Sequence, residues 1–231
     1  MPRARGVLWI FAKQPAPGRV KTRMVPPLSP QQACDLYAEM LRDVLAASQR
    51  FARETRLEPI LAVDPPAATC ALARSAPPEF RVVPQRGANL AERMEWAIRE
   101  AAAGGAERIL LRGSDSPILD REQIEAALDA LDEFDLAISP DLGSGYNLIG
   151  VRKPTPGLFD HAMSTRTVLS DTLANASARG LRAQLQRASF DLDTASDLGR
   201  LARERSGPRG ASVTNLCPRT LSFLDAQQLW P

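Results

Sequence analysis

Four cations stand close together near the start of the chain. Lys13, Arg19, Lys21 and Arg23 fall within Val7 to Arg23, VLWIFAKQPAPGRVKTR, where a short apolar run gives way to a loop containing Gly18 and two prolines. No Asp or Glu precedes Asp35, so the positive potential of this loop has no local counter-charge, and backbone N–H groups in such a loop add to it. An anion is the expected guest, phosphate first. Lysine is otherwise scarce: Lys13, Lys21 and Lys153 stand in a chain whose other basic residues are arginines. Two of the three lie in this loop, where a compact ammonium suits a phosphate. A merely solvated basic loop is the alternative.

The complementary charges come later. GSDSP, Gly113 to Pro117, puts Asp115 in a turn after an apolar strand, with Ser114 and Ser116 beside it. FDLDTASDL supplies Asp191 and Asp193, then Asp197 in the helix start that follows. Mg²⁺ (or Mn²⁺) takes one or two protein carboxylates and completes its shell with water and phosphate oxygens. Asp115, Asp193 and Asp191 are therefore the expected metal ligands, although Asp115 could instead bond its own turn and Asp197 reads better as a helix cap. In this reading the cation neutralises charge on the leaving group while Lys21 and Arg23 stabilise the rest of the phosphate chain. Lys21, Arg23 and Asp115 carry the chemistry, and no protein nucleophile is required. The loop QRGAN offers Gln85, Asn89 and Arg93 for contact with a base or acceptor, while Gln85 and Asn89 could equally cap the next helix.

These residues need a scaffold that brings strand ends together. Gly6 to Ala12 is apolar and rich in β-formers, as in a strand buried on both faces of a parallel sheet. Ser29, Pro30 and Gln32 spell a helix start with a capping box, followed by Ala33, Leu36, Tyr37, Met40, Leu41, Val44 and Leu45 at helical spacing. Strands are expected at Leu57 to Val63, Phe80 to Val83, Arg108 to Arg112 and Phe134 to Ser139. A short helix through Arg74 and longer ones from Leu90 to about Ala103 and from Asp120 to Leu131 separate them. Strand and helix alternate, which predicts an α/β fold: a mostly parallel sheet with helices on both faces. In such sheets ligands bind at the carboxyl ends of the strands. After Ser139 the pattern changes. GSGYNLIGV reads as a strand after a glycine turn, and antiparallel strands are expected here. A short helix near Phe159, a helix from Ser170 to Arg179 and a last strand at Phe190 to Asp193 should follow. A helix near Ser196 to Arg205, a loop at Ser206 to Gly210 and a helix at Thr220 to Leu229 complete the reading. Residues 1–205 are expected to form the nucleotide-binding domain, and 206–231 an extension packed on it.

Composition narrows the function classes. With 231 residues and 44% hydrophobic content the chain can bury one α/β core. A formal charge of +2 with no basic stripe argues against nucleic acid. Cys34, Cys70 and Cys217 are odd in number and widely spaced, arguing against a disulfide framework or a zinc site. No run approaches the roughly 20 apolar residues of a membrane span, no signal-peptide pattern opens the chain, and a cytoplasmic location is expected. His161 is the one histidine, so a His-based triad has one available base.

FAKQPAPGRVKTR, QRGANLAERM, GSDSP, GYNLIG and DLDT, in this order, resemble the DUF2064 family of the nucleotide-diphospho-sugar transferase (GT-A) superfamily, over Val7 to Leu201. More distantly the set is similar to 2-phospho-L-lactate guanylyltransferases and molybdenum-cofactor nucleotidyltransferases. The resemblance implies a GT-A fold and a nucleotide-using transferase, with Gly18, Gly145, Tyr146 and Asn147 joining Lys13, Arg19, Lys21, Arg23, Gln85, Asn89 and Arg93 at the nucleotide or its acceptor. The chain departs from the family at one stretch: where the family tends to read DGGYYLIG, it has Gly143, Ser144, Gly145, Tyr146, Asn147, Leu148, Ile149 and Gly150. The acid before the glycines is missing, with Asp141 nearby but displaced, and Asn147 is closer to the guanylyltransferase pattern. Plain turn geometry would also account for these glycines.

Three readings follow. The first is a metal-dependent nucleotidyltransferase, moving NMP from an NTP to a phosphorylated or carboxylated small molecule with release of pyrophosphate; an anionic acceptor needs no general base. The second is a glycosyltransferase using a nucleotide sugar, which needs a base for a hydroxyl acceptor, with Asp141 the acid at hand. The third is a non-catalytic nucleotide-binding module. A homodimer is compatible with each. Lys21→Ala is expected to weaken nucleotide binding well beyond Arg3→Ala.

Overall fold

The computed structural model describes residues 6–230; Arg3, the reference cation just named, lies outside them. β1 (Gly6–Lys13), β2 (Leu57–Asp64), β3 (Arg81–Pro84), β4 (Arg108–Gly113), β5 (Leu136–Pro140), β6 (Tyr146–Val151) and β7 (Ala183–Leu185) form one sheet. Its order is β3-β2-β1-β4-β6-β5-β7. β1 pairs in parallel with β2 and β4, β2 with β3, and β5 with β7. The antiparallel addition is β6 alone, inserted between β4 and β5. β1 takes an interior place because Val7, Leu8, Trp9 and Ile10 are all buried, on both faces of the strand.

Helices α1 (Pro30–Thr55), α2 (Thr69–Ser75), α3 (Leu90–Ala103), α4 (Arg121–Glu133), α5 (Val168–Ala178), α6 (Ala195–Ser206), α7 (Gly210–Leu216) and α8 (Pro218–Ala226) cover the sheet. On one face Leu41 and Phe51 of α1 and Ile124 and Leu128 of α4 pack with Leu8, Ile10 and Leu110. On the other, Met94, Ala97 and Ile98 of α3 and Ala176 of α5 pack with Trp9, Ile109, Leu111 and Ile149. α1 begins as its sequence dictates: the Ser29 hydroxyl accepts the Gln32 N–H at 3.1 Å while the Gln32 side chain accepts the Ser29 N–H at 2.9 Å. None of the described helices is long and apolar enough to cross a membrane.

A third cluster lies beyond the sheet. Met24, Leu36, Met40, Phe190, Leu192, Leu198, Leu201, Val213, Leu221 and Leu224 bury one another, joining the loop after β1 to α1 and the C-terminal helices. Asp43 of α1, fully buried, accepts the Thr220 N–H and Thr220 hydroxyl, each at 2.8 Å, and the Arg219 guanidinium at 3.4 Å.

Four expectations are corrected. Phe190 to Asp193 is not a strand. Its apolar alternation has period two, but Phe190 and Leu192 face the third cluster, and its amides serve other partners: Leu192 N–H goes to the Asp115 carbonyl at 2.8 Å and Asp191 N–H to Asp141 Oδ1 at 3.0 Å. The last strand is β7, whose Ala183, Gln184 and Leu185 carry little apolar signal. Around Phe159 the chain makes turns rather than a helix. The expected loop at 206–210 is shorter and runs into α7, with Gly210 at the helix start.

Candidate functional site

The carboxyl end of β1 opens into the cationic loop, which is held by burial of Val20 and Met24 on either side of Lys21. Lys21 adopts a left-handed backbone, φ 49° and ψ 33°, a conformation that costs a non-glycine residue of order 1 kcal/mol. Its ammonium lies between two carboxylates, bonded to Asp115 Oδ1 and, at 2.8 Å, to Asp193 Oδ1. The Lys21 side chain is 2% exposed, whereas those of Asp115 and Asp193 are 41% and 38% exposed. The pair therefore turns its remaining oxygens towards solvent and the ammonium lies beneath. Burial alone would lower the Lys21 pKa; the charges of Asp115 and Asp193 outweigh it and hold the pKa above its ordinary value.

Neighbouring elements brace this triad. Tyr37 of α1 lies under the ammonium, 5.8 Å from ring centroid to Nζ. Its hydroxyl accepts the Lys13 N–H at 2.9 Å and shares a hydrogen bond with Ser114 Oγ at 2.8 Å, locking the end of β1 to the turn that bears Asp115. Burial first, then the Asp115 charge, raise the Tyr37 phenol pKa, so it stays a neutral donor. From below, Arg112 donates to the Ser116 carbonyl at 2.7 Å and to Ser48 Oγ at 3.2 Å. Its guanidinium is enclosed, and burial pulls its pKa down to about 10 against the pull of Asp191. Asp193 is placed by the start of α6, where Asp197 Oδ2 accepts the N–H groups of Asp193 at 3.1 Å and Thr194 at 2.8 Å. Asp197 is thus a cap, as expected.

Asp191 does not share the contact with Lys21. Its carboxylate accepts the Ser116 hydroxyl, behind the Asp115 turn. Burial, then the nearby Asp115 carboxylate, push its pKa up to about 7. Lys21 thus gathers Asp115 and Asp193, leaving Asp191 as a support. Among the described residues no group of three or more His, Cys, Asp or Glu is assembled for a metal. Two half-exposed carboxylates converging on one positive charge are nevertheless the donor set a hard divalent cation uses when phosphate and water complete its shell.

Other expected residues divide into rim and frame. Arg23 is 72% exposed, with Nη1 3.8 Å from Asp193 Oδ2. Lys13, Gly18 and Arg19 lie exposed on the loop, and Gly18 has φ +72°, which its turn requires of a glycine. In the QRGAN loop the capping alternative holds for Asn89, while Gln85 and Arg93 bond the strand ends. Gln85 is buried, donating to the carbonyls of Ala12 at 3.2 Å and Ala62 at 3.0 Å and accepting from Arg93 at 3.2 Å. Arg93 also pairs with Asp64 at 3.2 Å and donates to the Gly87 carbonyl at 3.1 Å. Asn89 caps α3, accepting the Glu92 N–H at 3.0 Å. These side chains spend their polar atoms on the protein, stitching the ends of β1, β2 and β3.

The Gly143 to Gly150 stretch behaves differently. Asp141 occupies the room a side chain at Gly143 would need: a Cβ there would sit 2.5 Å from Asp141 Oδ2. That oxygen accepts the Gly143 N–H at 2.7 Å, and Oδ1 accepts the Asp191 N–H at 3.0 Å. Gly145 has open space around it. The Tyr146 hydroxyl is buried, which raises its pKa to about 12, and it is in reach of Thr172 Oγ1 at 3.5 Å. His161 bonds the same Thr172 at 2.9 Å, away from the triad. The Asn147 carboxamide is buried, and both its N and its O lack a partner.

Sequence reading did not assign Tyr37 or Arg112. Tyr37 was hidden in the apolar stripe of α1, whereas Arg112 left a signal: a charge in the otherwise apolar run of a buried strand.

The chain is 29% identical over 186 residues to a phosphoenolpyruvate guanylyltransferase from Chloroflexus aggregans, covering 77% of this chain and 88% of that protein. It is 30% identical over 196 residues to a phosphoenolpyruvate guanylyltransferase from Sphaerobacter thermophilus, covering 83% and 90%. A crystal structure from Desulfovibrio desulfuricans, described as that of a candidate nucleotide-diphospho-sugar transferase, superposes with a TM-score of 0.77 at 27% identity, over 95% of this chain and 98% of that one. The 4-diphosphocytidyl-2C-methyl-D-erythritol synthase of Anaerococcus prevotii shares the fold, with a TM-score of 0.54 at 11% identity over 83% of this chain and 92% of that one. Residues 27–165, from the Asp115 turn's bracing helix through the glycine stretch, match the family described as "Uncharacterized protein conserved in bacteria (DUF2064)", and the chain belongs to that family.

Proposed function

We propose that the protein is a nucleotidyltransferase that moves NMP, GMP first among them, from an NTP to a small phosphorylated or carboxylated acid. The observation that carries this reading is the junction of Lys21 with Asp115 and Asp193 at the carboxyl ends of β1 and β4. Lys21, Arg23, Arg19 and Lys13 supply cations for the triphosphate. An oxygen of the acid attacks the α-phosphorus, the bond to the bridging oxygen of the β-phosphate breaks, and pyrophosphate departs. The acid is already ionised at neutral pH, so the protein positions and neutralises rather than removes a proton. Asp115 and Asp193 would hold Mg²⁺ or Mn²⁺, which neutralises phosphate charge when bound.

Both relatives named above are called phosphoenolpyruvate guanylyltransferases, which supports GTP and a small phosphorylated acid of the size of phosphoenolpyruvate. Glycosyl transfer is the second reading, supported by the description of the Desulfovibrio structure. It needs a base for a hydroxyl acceptor, and the oxygens of Asp141 already accept the amides of Gly143 and Asp191. Incubation with each NTP, Mg²⁺ and phosphorylated acids should release pyrophosphate, and Asp115→Ala should reduce the rate at least 100-fold. Release of a nucleoside diphosphate from nucleotide sugars, with no pyrophosphate from any NTP, would favour the second reading.

A further inference from the structure

We infer that the Asn147 carboxamide contacts the acceptor and selects an acid that carries a hydroxyl beside its anionic oxygens. This rests on the nucleotidyl-transfer reading above and concerns the other half of the same site. Asn147 is 2% exposed, yet neither its amide nitrogen nor its carbonyl oxygen has a hydrogen-bond partner in the protein. A buried amide left in that state is costly, and native structures rarely keep one without a ligand or water to answer it.

Its place in the sheet says which ligand. The register of β6 on β5 runs Ser139 to Leu148 and then Pro140 to Tyr146, so Asn147 is the extra residue of a β-bulge, a device that re-aims side chains beside functional sites. On β4 the register pairs Leu111 with Ile149 and Arg112 with Leu148. Continued by one residue, it brings Asn147 beside Gly113, two positions before Asp115. Within 4 Å of a Cβ built on Gly113 only the Asp115 amide is met, at 3.8 Å, so there is room on that side. The cationic loop follows β1, which has β2 and β3 on one side and β4 and then β6 on the other. A triphosphate lying on the loop has Asp115 between it and Asn147, and the carboxamide belongs to the acceptor's side.

The amide's own chemistry sharpens the choice. Its NH₂ can donate to a carboxylate or phosphate oxygen, but its carbonyl asks for a donor, which a fully ionised acid lacks. A hydroxyl next to the anionic group satisfies both, and a site built to bond a hydroxyl discriminates strongly against the analogue without it. Two acids separate the cases well: 2-phosphoglycerate and phosphoenolpyruvate carry the same anionic groups on one carbon and differ by the elements of water.

Calorimetry with Mg²⁺ and a non-hydrolysable GTP analogue should show wild type binding 2-phosphoglycerate at least tenfold more tightly than phosphoenolpyruvate. Asn147→Ala should erase that preference, and Asn147→Asp, which sets a carboxylate against the acid, should weaken both acids at least tenfold. Affinity for the GTP analogue should stay within twofold in each variant, which also shows that they fold. Equal acid binding by wild type and both variants, as when the amide holds only a water, overturns the inference, and so does a wild type that binds neither acid. Asn147-dependent acid binding without pyrophosphate release from any NTP leaves the inference standing and removes the nucleotidyl-transfer reading instead.

Discussion

Lys21 is the residue on which the site turns. Its ammonium joins the two carboxylates from below while Lys13, Arg19 and Arg23 stay on the solvent side. Lys21→Ala should therefore weaken Mg-GTP binding by calorimetry at least tenfold, about 1.4 kcal/mol, and more than Lys13→Ala does; equal losses would place the phosphates elsewhere. Asp191 gives a pH signature. Its carboxyl is raised from 3.8 to about 7 by burial, then by Asp115, so between those values the folded chain holds a proton that the unfolded chain has released. Stability from this group is full below about pH 4, falls as pH rises, and levels off above about 7. In EDTA, Asp191→Asn should gain stability relative to wild type as pH rises through that window, measured by urea denaturation at each pH; a gap that does not change with pH would remove the group from the balance.

At the scale of elements, the turn into β6 carries a visible cost. Ser144 has φ +84°, in the left-handed region where a Cβ is disfavoured, at the position where the related pattern has glycine. Ser144→Gly should raise stability by about 0.5–1 kcal/mol in chemical denaturation, and a destabilised variant would mean that the hydroxyl holds the turn. The loop after β3 teaches the opposite lesson. Gln85, Asn89 and Arg93 have the composition of a recognition loop, but β1, β2 and β3 end together there and leave carbonyls that need donors. Side chains of the right type are absorbed by the scaffold when the backbone's own needs lie closer than any ligand.

Across the whole molecule, the C-terminal helices and the loop after β1 share one apolar cluster, and Asp43 ties α8 to α1. Asp43→Ala strands the Thr220 amide and hydroxyl in a buried position and should cost about 2–4 kcal/mol of stability. Per folded molecule, Mg-GTP affinity should change less than twofold by calorimetry, since Asp43 touches none of the triad. The alternation of apolar strands and amphipathic helices, the capping box at Ser29 and the charges of GSDSP and DLDT were readable in the chain, because each is local and follows one period or one turn. That Lys21, rather than the neighbouring cations, reaches both acids needed the fold, as did the supporting place of Asp191 and the bracing by Tyr37 and Arg112. Lys21 and its two carboxylate partners, 94 and 172 residues away, meet only when β1, β4 and the start of α6 are brought to one sheet edge, and no local pattern records that distance.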